Sequence, residues 1–132
     1  MRIIFFLKNY WKSISITGAI LYLSFTPPST FQDIPSFENE DKFVHILIYL
    51  GLTCILILDH KRALTDATAT FRNFFATCFF FPVLLGGLIE ILQPRIASPR
   101  TASWYDWLGD IAGVVLGWGI MYLLNMKPQF RA

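Results

Sequence analysis

Long apolar blocks recur along this chain, with only short charged segments between them. A soluble helix keeps its hydrophobic residues on one stripe, whereas a helix that is apolar all round lies in lipid or deep inside a much larger protein. The chain has 132 residues, enough for a single domain, and 55% of them are hydrophobic. The pattern therefore predicts an all-α protein: a membrane-embedded four-helix bundle with short loops, occupying residues 1–132 as one domain. A net charge of +2 is too weak to point to nucleic acid. Cys54 and Cys78 lie inside apolar blocks without metal-ligand or C-x-x-C spacing, as small buried hydrophobes do.

Four spans are expected, over about residues 10–25, 41–58, 71–93 and 105–124. The first ends at the helix-breaking pair Pro27 and Pro28. It reads as a retained span and not as a signal peptide, because no small-x-small cleavage pattern precedes those prolines. Pro82 should kink the third span. Arg2, Lys8, Lys12, Lys61, Arg62, Arg72, Lys127 and Arg131 fall on one side of the bundle, and Lys42, Arg95 and Arg100 on the other. That bias predicts cytoplasmic N- and C-termini in a multi-pass inner (cytoplasmic) membrane protein. Trp104, Tyr105 and Trp107 would form an aromatic belt at the outer boundary.

Polar residues interrupt the spans at one depth. Asp41, Lys42 and His45 open the second span, with Tyr49 one turn deeper; Glu90 and Gln93 close the third; Asp106 and Asp110 open the fourth. Because chain direction alternates, all of these should meet at one end of the bundle, and the opposite ends show no comparable set. Asp41, His45 and Tyr49 follow helical i, i+4, i+8 spacing. Asp106, Asp110, Gly113 and Gly117 lie within about 60° of one another on a helix of 3.6 residues per turn. Gly113 and Gly117 form a G-x-x-x-G pair that admits a neighbouring backbone. The acidic stripe therefore shares an inward-facing side with a packing stripe.

Helix dipoles separate ordinary residues from costly ones. Asp41, Asp106 and Asp110 sit near helix N-termini, where acids are favoured, but Glu90 falls near an expected C-terminus. A charge at mid-bilayer costs ~2.5–3.5 kcal/mol even on the insertion scale, so Glu90 should face inward, toward Lys42, His45 or Arg100.

The segments DKFVHILIY (41–49), GGLIEILQ (86–93), Arg100 and DWLGDIAGVVLG (106–117) resemble, in order and spacing, the motifs of the VanZ-like family. The family pattern is D-K-x-x-H-x-x-x-Y, E-x-x-Q, an Arg, and D-x-x-x-N-x-x-G-x-x-x-G, and the resemblance covers about residues 24–120. Asp110 stands where the family usually has Asn. The resemblance implies a small multi-pass protein of the bacterial cell envelope, from a family whose founding member is linked to low-level resistance to the glycopeptide antibiotic teicoplanin.

Each candidate has a structural alternative. Glu90 is either a helix-locking ion-pair partner or a binding or catalytic carboxylate. His45 is a packing residue, a proton carrier or a metal ligand. Asp106 reads as the acid of a capping box opened by Ser103. Lys42 either snorkels or joins the cluster, Arg100 is either plain surface or an anion clamp, and Tyr49 packs. No signature of a nucleophile or metal centre appears, so no cofactor and no metal is assigned and whether the protein is an enzyme stays open. The favoured function is binding of membrane lipid, or of a lipid-linked cell-wall precursor, at the outer polar site. The alternatives are an intramembrane enzyme using Glu90, Asp110 and His45, a proton-coupled transporter, and a purely structural polar network; oligomerisation is compatible with all of them.

Overall fold

The computed structural model describes residues 1–35, 37–97 and 101–124. Among the described residues four α-helices make up the fold: α1 (Arg2–Phe25), α2 (Glu40–Thr65), α3 (Phe81–Ile96) and α4 (Trp104–Leu123). No strand occurs among the described residues.

Local chemistry explains the boundaries. Pro27 disfavours helical geometry at the residue before it, and Thr26 is extended, with ψ 137°, where α1 stops. Asn39 takes a left-handed φ of 63° ahead of α2, and Glu40 and Asp41 supply the acidic first turn. The Glu40 carboxylate accepts from the Phe37 N–H at 3.1 Å, fixing the entry to that helix. Ser103 caps α4, its hydroxyl accepting from the Asp106 N–H at 3.4 Å.

The helices run further than hydropathy indicated. The first begins at Arg2, not near residue 10. The second continues past residue 58 to Thr65, 26 residues in all, so it is about 39 Å long. Its last two turns carry Asp59, His60, Lys61 and Arg62, which the apolar pattern alone could not distinguish from a loop. The third continues through Pro94 to Ile96. A proline removes one N–H but need not end a helix whose neighbours hold it in place. Glu90 is therefore less close to a helix end than expected.

Pro82 also behaves differently from a simple kink. It sits in the first turn of α3, immediately after a π-helical turn spanning Ala76–Phe80. Pro82 has no N–H to offer the Cys78 carbonyl four residues back, and Trp118 Nε1 donates to that carbonyl at 3.0 Å. The indole thereby bolts the irregular turn to α4.

Packing centres on the seam between α2 and α4. Gly109, Gly113 and Gly117 lie against the carbonyls of Lys42, Ile46 and Leu50, each glycine advancing four residues as its partner does. The two helices are thus parallel, as alternating chain direction requires. A Cβ on Gly113 would overlap the Ile46 carbonyl, and one on Gly117 would lie 2.9 Å from Thr53 Cβ. The G-x-x-x-G pair does the work expected of it, and its partner is α2. On the other flank, α1 lies antiparallel to α2, and α3 lies antiparallel to α4, with Trp107 Nε1 donating to the Val83 carbonyl at 3.0 Å. Gln93 Nε2 closes the ring by donating to the Ser24 carbonyl at 3.0 Å, tying α3 to the end of α1.

Beside the apolar core of Leu52, Leu56, Ile57, Ile89 and Val114, burial departs from that of a soluble domain. Asn9, Ser13, Thr53, Asp59, His60, Glu90, Gln93 and Asp110 are buried. Large apolar residues on all four helices, among them Phe5, Phe43, Leu47, Phe81, Leu84 and Leu116, are exposed. Glu40–Thr65 and the continuous helical run Phe71–Ile96 are long and apolar enough to cross a membrane.

Candidate functional site

Three helices deliver one ionisable group each to a single point. His45 projects from α2, Glu90 from α3 and Asp110 from α4. One potential ligand atom from each lies within 4.8 Å of the other two. His45 Nδ1 and Asp110 Oδ1 are 2.6 Å apart, a hydrogen bond that requires a proton between them. Asp110 is 1% exposed and Glu90 is 5% exposed.

The glycines explain why these groups meet. His45 Cβ lies 3.4 Å from where a Cβ on Gly109 would stand, so the α2–α4 seam brings the imidazole alongside Asp110. Gly86, one turn before Glu90 on α3, faces the Asp110 carboxylate so closely that a Cβ there would collide with Oδ2. Absence of a side chain at residue 86 is what lets an acid on α4 approach the helix that carries Glu90.

Glu90 has one satisfied and one unsatisfied oxygen. Oε2 accepts from the Ser103 N–H at 3.0 Å. Oε1 is buried with no hydrogen-bond partner among the described residues. The capping box expected at Ser103 is therefore modified. Its hydroxyl arm binds the Asp106 N–H as anticipated, but the reciprocal bond to the Ser103 N–H comes from Glu90, not from Asp106. Glu90 thus helps fix the start of α4, and its remaining oxygen is an acceptor without a donor among the described residues.

Two hollows flank this point. One, of about 560 Å³, lies among α1, α2 and α3 and is lined by Ser24, Asp41, His45, Tyr49 and Gln93 together with apolar residues. The other, of about 580 Å³, is an apolar groove lined by Leu84, Leu88, Ile91, Trp104 and Trp107, with Glu90 and Ser103 at its polar edge. Both are in the ~300–1,000 Å³ range of small-molecule sites.

Not every expected residue joins the cluster. Lys42 is exposed and turned away from Glu90: Nζ donates to Asn39 Oδ1 at 3.1 Å and lies 5.5 Å from the centre of the Tyr105 ring. Asp41 is exposed, at the rim of the polar hollow. Tyr49 is 3% exposed and packs in the apolar core. Gln93 is buried and its amide is engaged with α1. Asp106 is half-buried at the start of α4. Arg100 lies outside the described residues.

A second polar cluster, which the sequence pattern missed, occupies the opposite end. Asp59 Oδ2 accepts from both the backbone N–H and the hydroxyl of Ser13, at 3.0 and 2.8 Å. His60 Nε2 lies 3.2 Å from the Thr70 carbonyl, and Nδ1 lies 2.7 Å from the Tyr10 hydroxyl. A carbonyl only accepts, so the neutral imidazole carries its proton on Nε2, and Tyr10 donates to Nδ1. Asn9 Nδ2 donates to Thr68 Oγ1 at 2.9 Å. The spacing Asn9, Tyr10, Ser13 on one helical face was the available signal, hidden because neighbouring lysines and arginines mark the same ends as membrane flanks.

Comparison with known proteins finds no match, whether to a family model, a curated protein or a solved structure.

Proposed function

We propose that the chain is a four-helix integral membrane protein of the VanZ-like kind, with both termini cytoplasmic. On this proposal the His45–Glu90–Asp110 pocket lies in the outer half of a bacterial inner membrane. It binds the headgroup of an envelope lipid or of a lipid-linked cell-wall precursor. The observation that carries the proposal is the buried Glu90 Oε1, with no donor among the described residues, placed between a polar hollow and an apolar groove. An amphiphile suits that pairing: its headgroup fills the hollow and its chain lies along Leu84, Leu88 and Ile91.

The exposed apolar surface on all four helices supports residence in lipid, because such a continuous surface is not tolerated in water. Two span-length helices and the Lys/Arg bias support the multi-pass topology. The four motifs in their family order support the VanZ-like placement and, with it, a link to glycopeptide-type resistance.

The pocket also refines the ligand chemistry. With Lys42 engaged elsewhere, the described groups at the centre are acceptors apart from the proton on the His45–Asp110 pair. Hydroxyl or amine donors on the headgroup fit better than a bare phosphate. Mass spectrometry of lipids co-purified in mild detergent tests this. Wild-type protein should retain a headgroup class that Glu90→Gln and Asp110→Asn release; equal retention by all three refutes the binding role.

The 2.6 Å His45–Asp110 pair beside a second carboxylate also favours a second reading, general acid–base chemistry on that headgroup. Turnover of a radiolabelled envelope lipid in proteoliposomes, lost in His45→Ala, is its test.

A further inference from the structure

We propose that His45, Glu90 and Asp110 form a binding site for one divalent transition-metal ion of the zinc or manganese class. The proposal concerns the same pocket as the lipid-binding role and stands on its geometry whether or not a lipid binds there.

Three observations converge. First, one ligand atom from each residue already lies within 4.8 Å of the others. A tetrahedral ion with bonds near 2.0–2.1 Å needs its ligands about 3.3 Å apart, so the His45–Asp110 pair, now 2.6 Å apart, must open slightly while any longer separation within the 4.8 Å set closes. Secondly, Glu90 Oε1 is buried in a residue 5% exposed and has no hydrogen-bond partner among the described residues. Its partner oxygen is held by Ser103, which leaves Oε1 oriented as a single free donor of electrons. Thirdly, the fold makes room: without a side chain at Gly86, the Asp110 carboxylate reaches the face of α3 that bears Glu90.

Charge favours a divalent ion over the alternatives. With the imidazole neutral and both carboxylates ionised, the pocket carries a charge of −2, which a divalent cation cancels. In a buried site, uncompensated charge is costly, so neutrality is a strong selector. As the metal arrives, the proton now shared by His45 Nδ1 and Asp110 would go to solvent from a charged pair, or to Nε2 of an already neutral ring, so that the ligating atoms are deprotonated and the imidazole stays neutral. One imidazole nitrogen with two carboxylates suits zinc or manganese better than magnesium or calcium, which prefer oxygen alone. Three protein ligands leave a coordination position open, and both hollows reach the pocket, through His45 on one side and Glu90 on the other.

The test uses the full-length protein in nanodiscs, stripped with a chelator and titrated with zinc against a chromophoric competitor. One ion per chain is expected. Groups that merely orient a ligand are worth about 10–100-fold in metal affinity, so Glu90→Gln, His45→Ala and Asp110→Asn should each weaken binding by more than about 100-fold. Asp106→Asn, outside the ligand set, should stay within about threefold of wild type. A second measurement, on the wild type, is independent of whether the ligand variants fold. X-ray absorption of the zinc-loaded protein should show one imidazole and oxygen ligands; sulfur ligands from Cys54 or Cys78, or no ion bound at about 100 µM zinc, overturns the site. Metal binding in lipid-free detergent with no lipid retained would uphold the metal and refute the lipid role. Lipid retained by a wild type that takes up no zinc would do the reverse.

Discussion

Gly113→Ala should destabilise the protein by forcing apart the two helices on which the pocket depends. The added methyl would overlap the Ile46 carbonyl and lie 3.0 Å from the Leu50 nitrogen and 3.1 Å from Tyr49 Cβ. Two of those neighbours are backbone, which cannot rotate away, so α2 and α4 must separate. Gly119, on the same helix, meets nothing within 4 Å and provides the control. Both substitutions gain the same helix propensity, ~0.5–1 kcal/mol, so it cancels in the difference between them. What remains is the overpacking cost, ~1–3 kcal/mol. For a chain of this length that corresponds to roughly 3–15 °C in Tm. Thermal unfolding in nanodiscs, followed by circular dichroism, should place Gly113→Ala below Gly119→Ala by that margin. Separation should also weaken the His45–Asp110 contact one turn away. Equal melting of the two variants would show that α4 does not lie against α2 at Gly113, and the positioning of Asp110 beside His45 would lose its basis.

Other consequences are open to measurement. Trp118→Phe leaves the Cys78 carbonyl without its indole donor and should cost ~1–3 kcal/mol; restoring an N–H with Pro82→Ala should reduce that cost, so thermal melts of the single and double variants should show positive coupling. Ser13→Ala removes the hydroxyl from the buried Asp59 carboxylate and should destabilise by a further ~1–3 kcal/mol, whereas Ser15→Ala, whose hydroxyl bonds only the Trp11 carbonyl on an exposed face, should stay within ~0.5 kcal/mol. In a background lacking Cys54 and Cys78, single cysteines at Ser29 and Glu38 should react with an impermeant maleimide added to intact cells, and one at Asp66 should not; the opposite pattern inverts the proposed orientation.

Much of the architecture was legible because it follows from pattern. The helices, their alternating direction and the glycine face of α4 are consequences of hydropathy and 3.6-residue spacing, and Gly113 and Gly117 pack where that spacing puts them. The Ser103 cap was visible for the same reason. Contacts that depend on how one helix is rotated against another were not visible. Nothing in the spacing shows that Gly86 opposes Asp110, that Glu90 takes the Ser103 N–H from Asp106, or that Lys42 turns toward Tyr105. The sequence put His45, Glu90 and Asp110 at one end of the bundle, but which members of the wider polar set come within ligand distance of one another depended on helix rotation. Asp59 and His60 were missed for another reason: beside Lys61 and Arg62 they look like a solvated helix end, and only packing against α1 buries them.

A cryo-electron density map of the protein in lipid nanodiscs, at a resolution that shows side chains, would decide most. It should show the Glu90 carboxyl turned into the bundle, one oxygen on the Ser103 amide and the other facing His45 and Asp110, with apolar side chains toward the lipid. A Glu90 side chain directed at the acyl chains, apart from His45 and Asp110, would leave a hydrophobic bundle with no binding site at that end.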